Sequence, residues 1–180
     1  MEKKITRLGT LSTGTFQAHL DRVTLRNNRK RERLWINYPQ AVAIVPMVSS
    51  EEIILVKQWR YAVGKETLEI PAGKMDREES PEEGVRRELL EETGFEVKNL
   101  ELIQRYYPAY GYSNEMIHLF LGTTLTRKKE ISASHEISST EILTMDTAMN
   151  LVTEGVIQDA KTIIGIKTVI LRKKFGGNIS

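Results

Sequence analysis

The sequence predicts an α/β protein, in which a mixed β-sheet is flanked by helices and preceded by a small antiparallel β-layer. Three observations support this class. The first forty residues alternate polar and apolar side chains around a turn, the middle of the chain carries short apolar runs, and two later segments have helical periodicity. A chain of 180 residues with 40% hydrophobic composition can build one well-packed domain with a small extension. We therefore expect a β-layer over residues 1–39 and a main domain over residues 40–180.

Composition narrows the classes of partner. The 26 basic and 24 acidic residues leave a formal net charge of +2, so no overall field favours nucleic acid or an anionic membrane. The chain has no cysteine, which excludes disulfides and thiolate metal ligands. Its start lacks the apolar core of a signal peptide, and no run approaches the ~20 apolar residues of a membrane span. We expect a soluble, cytoplasmic protein that binds its partners at local sites.

The N-terminal layer is predicted from two alternating segments, residues 15–27 and 31–39. They flank Asn27-Asn28, a dipeptide that tolerates the left-handed backbone of a tight turn. The basic run Arg26–Arg33 lies at this turn and contains no aromatic side chain. We interpret it as a solvated hairpin tip, and the alternative is a nucleic-acid patch.

The main domain alternates strands with helices. Apolar segments typical of strands lie at residues 40–48, 51–61, 66–71, 98–108, 115–125 and 141–145. An acidic segment with helical signals falls between the third and the fourth of them. Two further helices are expected near the end: one capped by Asp146, and one over Asp159–Phe175 with apolar residues at Ile163, Ile166, Val169 and Ile170.

The acidic segment begins with Ser80-Pro81-Glu82-Glu83, which combines an N-cap serine, a first-turn proline and a glutamate three residues after the cap. Gly94 is expected to end the helix. At ~100° per residue the face that carries Glu88, Glu91 and Glu92 also contains Gly84, which we expect to leave room for a ligand.

Like charges one turn apart weaken a helix. A hard divalent cation would compensate for them, because Mg²⁺ binds oxygen ligands and is usually held by one or two carboxylates plus substrate phosphates. The alternative is a solvated acidic helix whose glutamates pair with Arg86, Arg87 and neighbouring lysines.

The spacing of the acidic segment favours the metal. Gly73, Glu79, Arg87-Glu88-Leu89, Glu91-Glu92 and Gly94-Phe95 match the Nudix box, with gaps of five, seven, one and one residues. The chain therefore resembles a Nudix hydrolase. Its segments QWRYAVGKETLEIPAGK and YGYSNEMIHLFL are similar to the ADP-ribose pyrophosphatase branch. The resemblance implies an α/β/α sandwich that cleaves a nucleoside diphosphate linked to another group, with Mg²⁺ as cofactor and Mn²⁺ able to substitute.

The resemblance also implies roles for residues around the helix. Four groups would hold the cation: the carboxylates of Glu88, Glu91 and Glu92 and the carbonyl of Ala72. Arg87 would pair with Glu79 and orient the helix. By position in a polar loop, Glu136 would activate water, and His135 is the alternative because its ordinary pKa of ~6.5 suits a base. The catalytic set is then Glu136, Glu91 and Arg87.

For substrate binding, the resemblance implies Phe16, Arg60, Glu69, Tyr110 and Glu115. Phe16 would stack on adenine or be an ordinary hairpin side chain. Arg60 would contact phosphate or be a surface arginine. Glu69 lies just before the loop that carries the Ala72 carbonyl. Glu115 would contact a ribose or a second metal. Where the ADP-ribose branch has a proline, this chain has Tyr110. Nucleoside diphosphate hexoses such as GDP-mannose or ADP-glucose are therefore also candidates.

The same branch implies a homodimer in which the N-terminal layer reaches the partner's site. Two other functions remain open on the sequence: a non-catalytic nucleotide-binding regulator on this fold, and hydrolysis of another nucleotide class such as capped RNA. A regulator could lose box carboxylates, whereas this chain retains every one. We expect a small-molecule substrate, with no nucleic acid and no membrane as partners.

Overall fold

The computed structural model describes residues 1–130 and 137–176, which fold into two compact units. The first contains Met1–Gln40 together with Tyr106–Ile117, and the second contains Ala41–Arg105 and the chain from His118 onward. The sequence analysis did not group residues 106–117 with the N-terminal layer. The link is made by backbone bonds distant in sequence, including Ile36 N–H to the Tyr112 carbonyl at 2.7 Å, which no local pattern reveals.

The first unit is a three-stranded antiparallel sheet of β1 (Lys3–Ser12), β2 (Gln17–Thr24) and β3 (Lys30–Asn37), in the order β1-β2-β3. The predicted β2–β3 hairpin is confirmed, with Asn28 at φ 60° in its turn. Strand β1 was not predicted. Every residue of β1 is exposed, so the strand has no buried face to impose alternation on its sequence.

A buried carboxylate organises one face of this sheet. Asp21 accepts hydrogen bonds from Arg7 Nε at 2.5 Å and from Trp35 Nε1 at 2.8 Å, and it is 5% exposed. The hydrogen bond from Arg7 outweighs burial and lowers the pKa of Asp21 to about 2. His19 lies beside this group, 4.7 Å from the Trp35 ring centroid. These contacts tie the three strands together.

The second unit contains two sheets. The strands are β4 (Ala41–Pro46), β5 (Glu52–Arg60), β6 (Lys65–Glu69), β7 (Ala72–Lys74), β8 (Phe95–Tyr106), β9 (Ile117–Arg127) and β10 (Ile137–Thr144), with a 3₁₀ turn at Tyr61–Val63. One sheet has the order β10-β5-β6 and the other β7-β4-β9-β8. The six strands predicted for the main domain are present, and the three-residue strand β7 is additional.

The helices are α1 (Pro81–Thr93), α2 (Met145–Thr153) and α3 (Ala160–Lys174). The capping box of α1 is confirmed: Ser80 accepts from the Glu83 N–H, Glu83 accepts from the Ser80 N–H, and Gly94 ends the helix at φ 76°. The predicted cap of α2 was wrong. Thr144 accepts from the Thr147 N–H and caps this helix, while Asp146 lies in its first turn.

Helix α1 packs on the sheet through Val85 and Leu89, which form a core cluster with Val42, Ile44 and Phe120. All five side chains are at most 1% exposed. Helix α1 therefore packs against β4 and β7, and the carboxylates of Glu88 and Glu92 lie beside this buried face, next to β7. Within the described residues, no helix is both long and apolar enough to span a membrane.

Candidate functional site

Two glutamates of α1 lie against β7, immediately before the loop that leads into the helix. The Glu92 Oε2 atom accepts a hydrogen bond from the Ala72 N–H at 3.0 Å. A Cβ atom placed on Gly73 would lie 1.9 Å from the carboxyl carbon of Glu88, so a larger residue would displace that carboxylate from its place against β7. The glycine that opens the sequence motif is thus explained by the carboxylate packed against it.

The protein does not neutralise these two carboxylates fully. Burial raises the pKa of Glu92 to about 8, and the neighbouring charge of Glu88 acts in the same direction. The Ala72 N–H and the cations Lys161 and Arg60 oppose the shift but do not cancel it. Burial also raises the pKa of Glu88, although Arg87 contacts it. Half-buried carboxylates with this deficit of positive charge suit a divalent cation.

Arg87 is the centre of the remaining acidic contacts. Its Nε and Nη2 atoms donate to the two oxygens of Glu79 at 2.9 and 3.0 Å, which confirms the predicted pair. Nη2 also donates to the Lys74 carbonyl at 3.0 Å, and Nη1 donates to Glu88 at 2.7 Å and to Glu91 at 3.3 Å. Arg87 therefore connects the helix to the loop that precedes it.

The expectation for Gly84 was wrong. A Cβ atom at this position would lie 2.9 Å from the Glu79 Oε2 atom and 3.6 Å from Val42. Gly84 is buried and makes room for the Glu79 carboxylate, which is held there by Arg87. The space is therefore occupied by the protein and is not open to a ligand.

The carboxylates offer hard oxygen donors of the type that Mg²⁺ prefers, which fits the implied cofactor. Over residues 1–130 and 137–176, however, no three acidic or imidazole side chains converge as a ready metal cluster. Arg87 Nη1 donates to both Glu88 and the exposed Glu91. A cation held by both would have to displace this guanidinium nitrogen.

A second group of charges lies beside the first. Glu69, at the end of β6, accepts from Arg60 Nε at 2.8 Å and from Arg60 Nη2 at 2.6 Å. It also accepts from the hydroxyl of Thr67 and the ammonium of Lys161. Burial disfavours its ionised form, but the hydrogen bonds from Arg60 and the charge of Lys161 prevail and lower the pKa of Glu69 to about 2.

Sequence reasoning missed Lys161. Lys161 lies in the first turn of α3, two positions after the helix cap Asp159. It is on the buried face of the helix with Gly165 and Ile166, and it is 8% exposed. A lysine is almost never fully buried unless it is paired. Lys161 is one helical turn before Gly165, so its spacing places it on the apolar face of α3. This position could have identified it as a buried, paired lysine.

The other predicted site residues fall in the first unit or outside the described residues. Phe16 is half-buried, with its ring centroid 5.6 Å from that of Tyr38. Tyr110 is 84% exposed, and Glu115 is half-buried with its N–H bonded to Ser113 Oγ at 3.1 Å. Glu136 and its alternative His135 lie outside the described residues.

Comparison with known proteins identifies the class. The NUDIX domain matches residues 37–164, and the chain belongs to the Nudix hydrolase family. It is 33% identical over 175 residues to the ADP-ribose pyrophosphatase of Bacillus subtilis, covering 96% of this chain and 94% of that relative. It is 31% identical over 174 residues to the methanol dehydrogenase activator of Bacillus methanolicus, with the same coverage. A GDP-mannose pyrophosphatase of Cronobacter sakazakii is 33% identical over 132 residues, or 68% of each chain.

The fold also has a solved counterpart. The crystal structure of an ADP compounds hydrolase superposes with a TM-score of 0.81 over 98% of each chain, at 21% sequence identity. This likeness confirms the predicted mixed α/β Nudix fold. Nudix hydrolases as a family use divalent metal ions, in keeping with the carboxylate face of α1.

Proposed function

We propose that this protein hydrolyses the diphosphate of ADP-ribose, or of a related nucleoside diphosphate sugar, to a nucleoside monophosphate and a sugar phosphate. One observation carries the proposal: the half-buried carboxylates of Glu88 and Glu92 lack sufficient positive charge from the protein, and the charge of Arg60 acts on Glu92. A cation site beside an arginine suits a diphosphate. The relatives named ADP-ribose pyrophosphatase and GDP-mannose pyrophosphatase support the substrate class.

The metal would be Mg²⁺, held by the carboxylates of Glu88, Glu91 and Glu92 and by the carbonyl of Ala72. When bound, it supplies positive charge that lowers the cost of charge development on the phosphoryl oxygens. Arg60 would bind a phosphate through N–H groups that Glu69 does not use. Arg87 would hold Glu79 and keep α1 in register with the loop before it.

Glu136 is our assignment for the residue that takes the proton from the attacking water. Loss of a general base typically costs ~10² to 10⁴ in rate. Glu136→Gln should therefore lower kcat by that order with little change in KM, while His135→Ala should cost less than tenfold. An exchange of these two effects would make His135 the base.

We assign substrate selection to the first unit, with Phe16 stacking on the base, Glu115 contacting the ribose or a second metal, and Tyr110 shaping the pocket for the terminal sugar. The deciding experiment is a panel of ADP-ribose, ADP-glucose, GDP-mannose, NADH, diadenosine polyphosphates and capped RNA with Mg²⁺ or Mn²⁺. Release of phosphate is measured through a coupled phosphatase. Turnover of ADP-ribose or a sugar nucleotide is expected, and Tyr110→Pro should shift the ratio toward ADP-ribose.

A non-catalytic regulator is the second candidate, favoured by the relative named methanol dehydrogenase activator. The panel separates the two, because a regulator would bind a nucleotide without turning it over. The presence of every carboxylate of the Nudix box supports catalysis.

We further propose a homodimer formed through the N-terminal layer. Strand β1 is an edge strand that leaves Ile5, Leu8 and Leu11 40–78% exposed, and exposed apolar edges tend to pair. Light scattering at micromolar concentration should give twice the 20.6 kDa chain mass. A fully active monomer would exclude this assembly.

A further inference from the structure

Lys161 carries a buried ammonium group that is separate from the proposed metal ligands and catalytic residues. Its side chain is 9% exposed, and Nζ contacts the carboxylates of Glu69 and, at 3.0 Å, Asp159. A buried charge is costly unless it is paired with good geometry. Two carboxylate partners at the N-terminal end of α3 therefore indicate a defined role for this lysine.

Lys161 and Arg60 share one partner, the carboxylate of Glu69. Glu69 Oε2 accepts from both Lys161 Nζ and Arg60 Nη2, while Glu69 Oε1 accepts from Arg60 Nε. Two nitrogens of the Arg60 guanidinium thus donate to a carboxylate that Lys161 also contacts. Within the described residues Nη1 of Arg60 has no hydrogen-bond partner, and the Arg60 side chain is 41% exposed.

Lys161 also contributes to the charge around Arg60. The negative charges of Glu69, Asp159 and Glu92 act on Arg60, and Lys161 contacts the first two of these carboxylates. Without the lysine ammonium, one negative charge in this group would be uncompensated. That charge would draw Arg60 inward and repel an incoming phosphate.

We propose that Lys161 is a positioning residue for substrate binding, which fixes Glu69 so that Glu69 holds Arg60 with its unused N–H groups available to the substrate diphosphate. The inference rests on the proposed function and extends it to a residue of α3. Lys161 acts through Arg60 and does not itself contact the substrate.

Steady-state kinetics with ADP-ribose at saturating Mg²⁺ test this role. Lys161→Met should raise KM about tenfold, which is the effect expected for the loss of one hydrogen bond to a charged group. It should leave kcat within threefold of wild type. Lys161→Arg keeps the charge and should stay within threefold of wild type. Lys173→Met is the matched control, since it removes a lysine of the same helix that contacts Glu51 and the Ser50 carbonyl. It should change neither constant by more than twofold.

A double-mutant cycle separates positioning from a general structural role. If Lys161 acts through Arg60, Lys161→Met in an Arg60→Met background should change KM by less than threefold. A full tenfold effect in that background would overturn the proposal. If Lys161→Met does not fold, Lys161→Leu replaces it in the cycle, because it also removes both the charge and the donor to Glu69.

A readout on the metal-free protein keeps this inference separable from the proposed function. The Nε–H resonance of Arg60, assigned by its loss in Arg60→Lys, should be protected from solvent exchange in wild type and in Lys173→Met. The protection should be lost in Lys161→Met. Retained protection would refute the positioning role whatever the kinetics show. Lost protection, in a protein that cleaves no nucleotide, would support positioning and refute only the proposed function.

Discussion

Glu69 and Glu92 lie in the same unit and share the influence of Arg60 and Lys161, yet the protein treats their charges in opposite ways. Around Glu69, hydrogen bonds from both cations overcome burial and lower the pKa to about 2. Around Glu92, burial and the charge of Glu88 prevail, and the pKa rises to about 8. The protein supplies the counter-charge for one carboxylate by itself and compensates the other, together with Glu88, only in part.

The largest expected effect follows from removing the carboxylate that lacks a counter-charge. Glu92→Gln should lower kcat at least a hundredfold, because a proposed metal ligand loses its charge. Metal-free stability should not fall, since the amide oxygen can still accept from the Ala72 N–H. Turnover assays and urea denaturation measure the two effects, with Glu82→Gln as the control at an exposed glutamate of the same helix. Near wild-type turnover at saturating Mg²⁺ would contradict the metal assignment.

The sequence alone was sufficient for the fold class and for α1. The capping box, Gly94 and the Glu79–Arg87 pair depend on fixed local spacing, and the structure contains all of them. Strand β1 was missed because all its residues are exposed, so its sequence need not alternate polar and apolar side chains. The cap of α2 was misplaced by two residues, since Thr144 and Asp146 are both acceptable caps and tertiary context chose between them.

For the site, sequence reasoning located the carboxylates but could not tell how each one is compensated. Glu69 and Arg60 were both predicted as substrate-binding residues, and the structure shows them paired with each other. Lys161 lies 92 positions from Glu69, so their contact depends on how α3 meets β6. Local patterns carry no information about such contacts, which explains why the counter-charge was missed while the acidic ligands were found.

Removing the internally compensated carboxylate should have a different result. Glu69→Gln is expected to cost about 3 kcal/mol of unfolding free energy at pH 7, because it leaves Lys161 and Arg60 without their shared carboxylate. Urea denaturation of the metal-free protein measures this loss. If the cost equals that of Glu92→Gln, the two carboxylates do not differ in the way that the comparison requires.

Cation binding should stabilise the native state through α1 and not through Glu69. At ten times its dissociation constant, Mg²⁺ should add about 1.4 kcal/mol by mass action, or roughly 3–6 °C in Tm for a chain of this size. Wild type and Glu69→Gln should both show the shift, and Glu92→Gln should lose most of it. NaCl at equal ionic strength is the control for general screening. An unchanged shift in Glu92→Gln would place the cation elsewhere.

The pH dependence of stability, about 1 kcal/mol per pH unit, has opposite signs at the two carboxylates. The pKa of Glu69 is lowered from 4.5 to about 2, so its contribution to stability is complete above pH 4.5 and is lost as the pH falls toward 2. The pKa of Glu92 is raised from 4.5 to about 8, so the metal-free native state should lose stability as the pH rises from 4.5 toward 8.

Urea denaturation in EDTA from pH 2 to pH 8, with wild type compared with each Glu→Gln variant, isolates the two contributions. The difference in unfolding free energy between wild type and Glu69→Gln should shrink only as the pH falls below 4.5. The difference by which Glu92→Gln exceeds wild type should grow only as the pH rises toward 8. Parallel pH profiles for the two variants would show that both carboxylates are compensated alike, and the distinction between them would fail.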